Sequence, residues 1–150
     1  MNVVLYQPEI PPNTGSVGRL CAATDTPLHL IQPLGFQLDD KHLKRAGLDY
    51  WPHLDLHLHA SWDAFTSRHG DAPIFYFSKK ATQLYTSARF ASGDFLVFGP
   101  ETRGIPEDLL AKNPATTYRI PIKSPHVRSL NLANAVAIVL YEGLRQIAET

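Results

Sequence analysis

Phe95-Leu96-Val97-Phe98-Gly99-Pro100-Glu101-Thr102-Arg103-Gly104 decides the fold. Four apolar residues run without alternation into a glycine-proline loop, which reads as a strand buried on both faces and ending in a tight turn. Upstream, Asn2 to Tyr6 is a second short apolar strand, followed by a proline-rich turn over Gln7 to Pro12 and a helix for which Asn13 or Thr14 would serve as cap. The pattern recurs as strand Leu28 to Ile31, a short helix near Asp39 to Arg45, strand Leu54 to Leu58, helix Trp62 to Arg68 and strand Ile74 to Phe77. Beyond the quoted stretch come a short helix after Pro106, strand Thr117 to Ile120, a polar loop, and a long helix from about Asn131. Such alternation predicts an α/β single domain over residues 1–150, with a parallel sheet covered by helices on both faces.

Composition narrows the function. The 150 residues are 44% hydrophobic and 19% charged, as in an ordinary packed domain rather than a disordered or fibrous chain. Lys plus Arg equals Asp plus Glu at 14 each, so net charge supplies no general attraction to phosphate or membrane, and an RNA site has to be a local patch. The lone Cys21 cannot form an intramolecular disulfide, and MNVVLYQPEIPP lacks the features of a secretory signal, so a cytoplasmic location is expected. The apolar run around Ala135 to Leu140 is far shorter than the ~20 residues a membrane span needs.

The last helix carries a separate signal. Leu132, Ala133, Ala135, Val136, Ala137, Ile138, Val139, Leu140 and Leu144 leave it almost no polar face. A terminal helix covers its own sheet with one side, so the other is expected to meet a second copy of the chain in a homodimer.

Three segments fall where strands end, which is where open parallel sheets bind ligands. Asn13-Thr14-Gly15-Ser16-Val17-Gly18-Arg19 places two glycines in a helical first turn, at a cost of roughly 1 kcal/mol each against alanine. Phe98 to Gly104 puts Glu101 beside a glycine turn. Ile120-Pro121-Ile122 leads through Ser124-Pro125-His126-Val127-Arg128 to Ser129-Leu130-Asn131-Leu132-Ala133-Asn134-Ala135, where Ser129 or Asn131 could cap the last helix. Each alone is also readable as an ordinary capped helix or turn. There is no G-x-G-x-x-G after a strand and no G-x-x-x-x-G-K-[ST], so ordinary dinucleotide and P-loop sites are excluded. In His53-Leu54-Asp55-Leu56-His57-Leu58-His59, alternation puts three histidines and Asp55 on one strand face, read as an exposed face rather than a metal site. Cys21 reads as a small core residue.

In their order and spacing, Asn13-x-Gly15-x-x-x-Arg19, Phe98-Gly99-x-Glu101-x-x-Gly104, and Ile120-Pro121 followed by Ser129-Leu130-Asn131-Leu132-Ala133-x-Ala135 resemble the three motifs of the SPOUT (SpoU-TrmD) knotted methyltransferase superfamily. The stretch from Leu34-Gly35-Phe36 through Lys44-Arg45-Ala46-Gly47-Leu48-Asp49-Tyr50 is similar to that of its bacterial tRNA (cytidine/uridine) wobble 2'-O-methyltransferases. The resemblance implies a C-terminal deep trefoil knot, a homodimer, and S-adenosyl-L-methionine held bent by Phe77, Gly99, Ile120, Ser129 and Leu130. It implies 2'-O-methylation of the ribose at wobble position 34, a cytidine or modified uridine, in leucine tRNAs, with the anticodon stem-loop as partner. Arg19, with Asn13, Glu101 and Asn131, would form the reaction centre. Lys44, Arg45 and Arg128 would meet RNA phosphates, within a patch that also includes Lys41, Lys79, Lys80, Arg103 and Lys123. Methyl transfer from a sulfonium calls for in-line placement and proton removal, not for a metal. A guanidinium has no lone pair for a proton, so orienting ribose and phosphate suits Arg19 better than acting as base.

Gly18 departs from the commoner pattern, in which a bulky aliphatic residue precedes the arginine, and the loop Lys123 to Arg128 is a residue longer. Two other readings stand beside this one. A related enzyme could methylate a different tRNA or rRNA position, and a non-catalytic RNA-binding knot domain would be expected to have lost Arg19 or the cofactor loop.

Overall fold

The computed structural model describes residues 1–39, 41, 45 and 49–148. Seven strands form one sheet: β1 (Asn2–Tyr6), β2 (Leu28–Ile31), β3 (Leu56–His59), β4 (Ile74–Phe77), β5 (Gln83–Leu84), β6 (Phe95–Phe98) and β7 (Thr117–Arg119). The order is β3-β2-β1-β6-β4-β7-β5 and every pairing is parallel. Among the described residues the helices include α1 (Pro11–Ala23), α2 (Trp62–His69), α3 (Glu107–Lys112) and α4 (Leu132–Ala148).

The continuous apolar runs of β2 and β6 are buried at all positions because helices cover both faces. One face, with Val3, Leu5, Leu28, Leu30, Leu96 and Phe98, packs on Val17 and Cys21 of α1 and on Leu132, Val136, Val139 and Leu140 of α4. The other, with Val4, Ile31, Tyr76, Phe95 and Val97, packs on Phe65 of α2 and Ile105. Strand order reverses at β1, so β6 sits between β1 and β4 and the carboxyl ends of β4, β6 and β7 open on one crevice.

Several expected boundaries differ. Helix α1 begins at Pro11 with Ile10 at its N-cap, so neither Asn13 nor Thr14 caps it; proline at the first helical positions fixes a helical φ and gives up only an amide that lacks a helical partner anyway. The third strand is Leu56–His59 because Trp51–His53 forms a 3-10 turn that delays it. The two-residue β5, which pairs β7 at the sheet edge, is too short to carry a periodic signal. Most of the expected Asp39 to Arg45 helix lies outside the described residues. Among the described residues no helix is long and apolar enough to cross a membrane.

The last helix is buried along one stripe, Leu132, Val136, Val139, Leu140 and Gly143, while Ile138 and Tyr141 stay 37% and 55% exposed. Asn131 caps it, its Oδ1 accepting from the amide of Asn134 at 3.3 Å.

Candidate active site

A cleft of about 820 Å³ lies at the carboxyl ends of β4, β6 and β7, between the loops that leave them and the start of α4. It brings together all five residues expected at the cofactor, Phe77, Gly99, Ile120, Ser129 and Leu130, with Asn13, Glu101, Asn131 and Arg128. These come from five separate parts of the chain, and the parallel topology is what makes their ends coincide. Lys79, Lys80 and Arg103 also line the cleft, adding positive charge.

The turn after β6 depends on Gly99. A Cβ there would lie 2.3 Å from the amide nitrogen of Ile105 and 2.4 Å from the carbonyl carbon of Gly104, so the returning chain occupies the space a side chain would need. Gly104 completes the turn at φ +70, in the left-handed region that glycine adopts without penalty. Gly99 is therefore a requirement of the loop itself, and a β-branched residue there would disturb the loop rather than merely fill the cleft.

Glu101 has a specific structural task. Its Oε2 accepts hydrogen bonds from the amides of Glu9 at 3.0 Å and Ile10 at 2.8 Å, at the entry to α1. Burial raises its pKa, while those two amides and its own backbone pull the other way. Glu9 answers by accepting from the hydroxyl of Thr102 at 2.8 Å. The loop after β6 is thus tied to the loop after β1 by reciprocal carboxylate contacts. Asn131 makes a third tie, donating from Nδ2 to Oδ1 of Asn13 at 3.0 Å.

Arg19 is not in this cleft. It is exposed on α1 and lines a second depression of about 580 Å³ with Arg45, Asp49, Tyr50 and His53. The Tyr50 hydroxyl donates to the Gly15 carbonyl and anchors this depression to α1. Gly18 sits close under this wall: a Cβ would stand 3.1 Å from the Trp51 ring and 3.3 Å from the Leu54 side chain, so a larger residue there requires those side chains to give by a few tenths of an ångström. Lys44 lies outside the described residues. Residues at the cleft that sequence reasoning did not assign include Ile10, Ser78 and Ile105, and Thr102, which was quoted in its loop without a role.

The histidine run does not form the exposed face expected. His53 and Asp55 precede β3, but His59 is buried and His57 is half-buried beside it, because the β2 and β3 edge lies under α2.

A family model for the SpoU rRNA methylase family matches residues 1–141. The chain belongs to that family. Among SpoU relatives, the tRNA (cytidine(34)-2'-O)-methyltransferase of Methylovorus glucosotrophus is 48% identical over 146 residues, 97% of this chain and 94% of the relative. A solved SpoU-type structure described as "Structural insights into the 2-OH methylation of C/U34 on tRNA" superposes with a TM-score of 0.94 at 53% identity, covering 99% of this chain and 97% of that one. The AdoMet-bound rRNA methyltransferase of Sinorhizobium meliloti shares the fold, with a TM-score of 0.85 at 23% identity over 96% of this chain and 55% of its own.

Proposed function

We propose that this SpoU-family enzyme transfers a methyl group from S-adenosyl-L-methionine to the ribose 2'-oxygen of nucleotide 34 in tRNA. What carries the reading is the convergence of Asn13 with the second and third motifs at one cleft, in a chain about half identical, nearly end to end, to relatives named for that reaction.

The cleft suits the cofactor. Its volume falls in the range of ordinary small-molecule sites, and Phe77, Ile120 and Leu130 give apolar walls beside the polar Ser129. When bound, S-adenosyl-L-methionine supplies an electrophilic methyl group. The chain's contribution is placement: the tied loops of Glu101 and Asn131 hold the cleft in shape before either ligand arrives, and such preorganisation is where positioning accelerates transfer.

Arg19 and Arg45 line the neighbouring depression, a suitable place for backbone phosphates of an anticodon stem-loop whose target ribose reaches into the cleft. Arg19 there orients a backbone phosphate and through it the target nucleotide, a role a guanidinium performs by bidentate donation. Arg128, with Lys79, extends the positive path along the cleft rim, and Lys44 belongs to the same proposed RNA-contacting set. A C-terminal trefoil knot, a cytoplasmic location, leucine tRNAs as substrates, and a homodimer complete the reading. The exposed Ile138 and Tyr141 of α4 form the dimer seam.

Cofactor titration by calorimetry, beside transfer of labelled methyl to an anticodon stem-loop, tests the assignment. Binding without transfer to any RNA would leave the cleft standing and remove the activity.

A further inference from the structure

The histidines of β3 meet two others inside the molecule. His29 on β2 is 2% exposed and His59 at the end of β3 is 5% exposed. Nδ1 of His29 lies 2.9 Å from Nε2 of His59. His69, the last residue of α2, meets the His29 ring edge-on at 5.3 Å and the His59 ring at 5.7 Å. Phe65 and Phe95 wall the cluster with apolar surface.

Two nitrogens here have no partner. Nε2 of His29 and Nε2 of His69 are both buried and unbonded, where interiors ordinarily satisfy such atoms. Burial pushes the pKa of His29 down to about 3 and lowers those of His59 and His69, with neighbouring histidines, His57 among them, and Arg68 adding to each shift. Neutral imidazole is the form that ligates metals.

We propose that His29, His59 and His69 form a site for a divalent transition metal of the zinc class. Each offers one ring nitrogen, and the three nitrogens lie within 4.8 Å of one another. Zinc–nitrogen bonds of about 2.0–2.1 Å in tetrahedral geometry place ligand atoms about 3.3 Å apart, a spacing near that of the three nitrogens here. An all-imidazole set selects zinc, copper, nickel or cobalt over magnesium and calcium, which want oxygen. The Arg68 guanidinium opposes the added charge, and among the described residues no carboxylate joins the three histidines, so the site binds less tightly than a cysteine-rich one. None of the three lines the cleft, which makes the role structural. The ion would tie β2 and β3 to the end of α2.

The test uses the full chain stripped of metal with chelator, then titrated with Co²⁺ while visible absorption is recorded, with Zn²⁺ added to displace it. Expected are one Co²⁺ per chain with tetrahedral bands, a rise in the thermal midpoint with Zn²⁺, and no rise with Mg²⁺. His69→Ala should lose the bands while retaining the far-ultraviolet dichroism, and His126→Ala, altered on an exposed loop, should keep them. Should His69→Ala not fold, His69→Gln is read in its place. Absence of bands in the parent chain, or equal binding by the His69 variant, would overturn the site.

Discussion

The side-chain amide of Asn131 donates to that of Asn13 across 118 positions of sequence, at 3.0 Å. One hydrogen bond thus joins the first motif to the third, and Asn131 simultaneously caps α4 through the amide of Asn134. The two tasks can be separated. Asn131→Asp keeps the capping oxygen but sets a carboxylate against Oδ1 of Asn13, whereas Asn131→Ala loses both. Asn131→Ala should cost about 1 kcal/mol, or roughly 2–4 °C in melting temperature, and Asn131→Asp less, while methyl transfer falls in both. Thermal unfolding read beside transfer assays checks this; normal transfer by both variants would show the contact to be idle.

Glu101 acts by positioning. Glu101→Ala removes the acceptor from the amides of Glu9 and Ile10 at the mouth of α1, a loss of about 0.5–1.5 kcal/mol because those amides can turn to water. Glu101→Gln retains an acceptor and should recover much of it. Urea unfolding of both variants, with cofactor affinity measured alongside, gives the comparison; equal stability in parent and alanine variant would contradict the staple.

Gly99→Val should lose cofactor binding and stability together, because the added carbons collide with the backbone of Gly104 and Ile105. Calorimetry and a melting curve on the same sample decide it. Lost binding with an unchanged melt would mean that the loop adapts and the valine merely fills the cleft.

Cys21 is fully buried and its thiol is pushed up to about 12. A thiol reagent at pH 8 should therefore label it only as fast as the chain opens. Rapid labelling of the folded protein would contradict its place in the core.

Helix α4 divides by face. Val139 is 0% exposed, so Val139→Asp buries an unpaired carboxylate and should unfold the chain by several kcal/mol rather than split a dimer. Tyr141→Asp, on the exposed side, should halve the mass in light scattering while sparing the fold. A monomeric parent at micromolar concentration would refute the dimer.

Strands were legible in the sequence wherever burial on both faces made them continuous, as at Phe95 to Phe98, and the long α4 was legible from its apolar residues. Its two faces were not, because Ile138 and Val139 are equally apolar and only packing distinguishes them. The residues of the cleft were named as a set only through the resemblance to the SPOUT motifs, because each segment alone reads equally as an ordinary capped helix or turn. The task of Glu101 was hidden, since its partners are backbone amides 91 and 92 positions away. The helix start at Pro11 was obscured by Asn13 and Thr14, good capping residues placed one turn too late. The histidine cluster was missed because His29 and His69 lie outside the run that drew attention to His57 and His59.

Methyl transfer to one ribose is directly measurable. Purified protein, labelled S-adenosyl-L-methionine and tRNA are incubated together, and the labelled nucleotide is located by mass spectrometry of nuclease fragments. The predicted result is methyl on the 2'-oxygen of nucleotide 34, nearly abolished in Arg19→Ala although that variant still binds cofactor. Label on another nucleotide would contradict the substrate assignment, and parental transfer by Arg19→Ala with both ligands saturating would contradict the role given to the arginine.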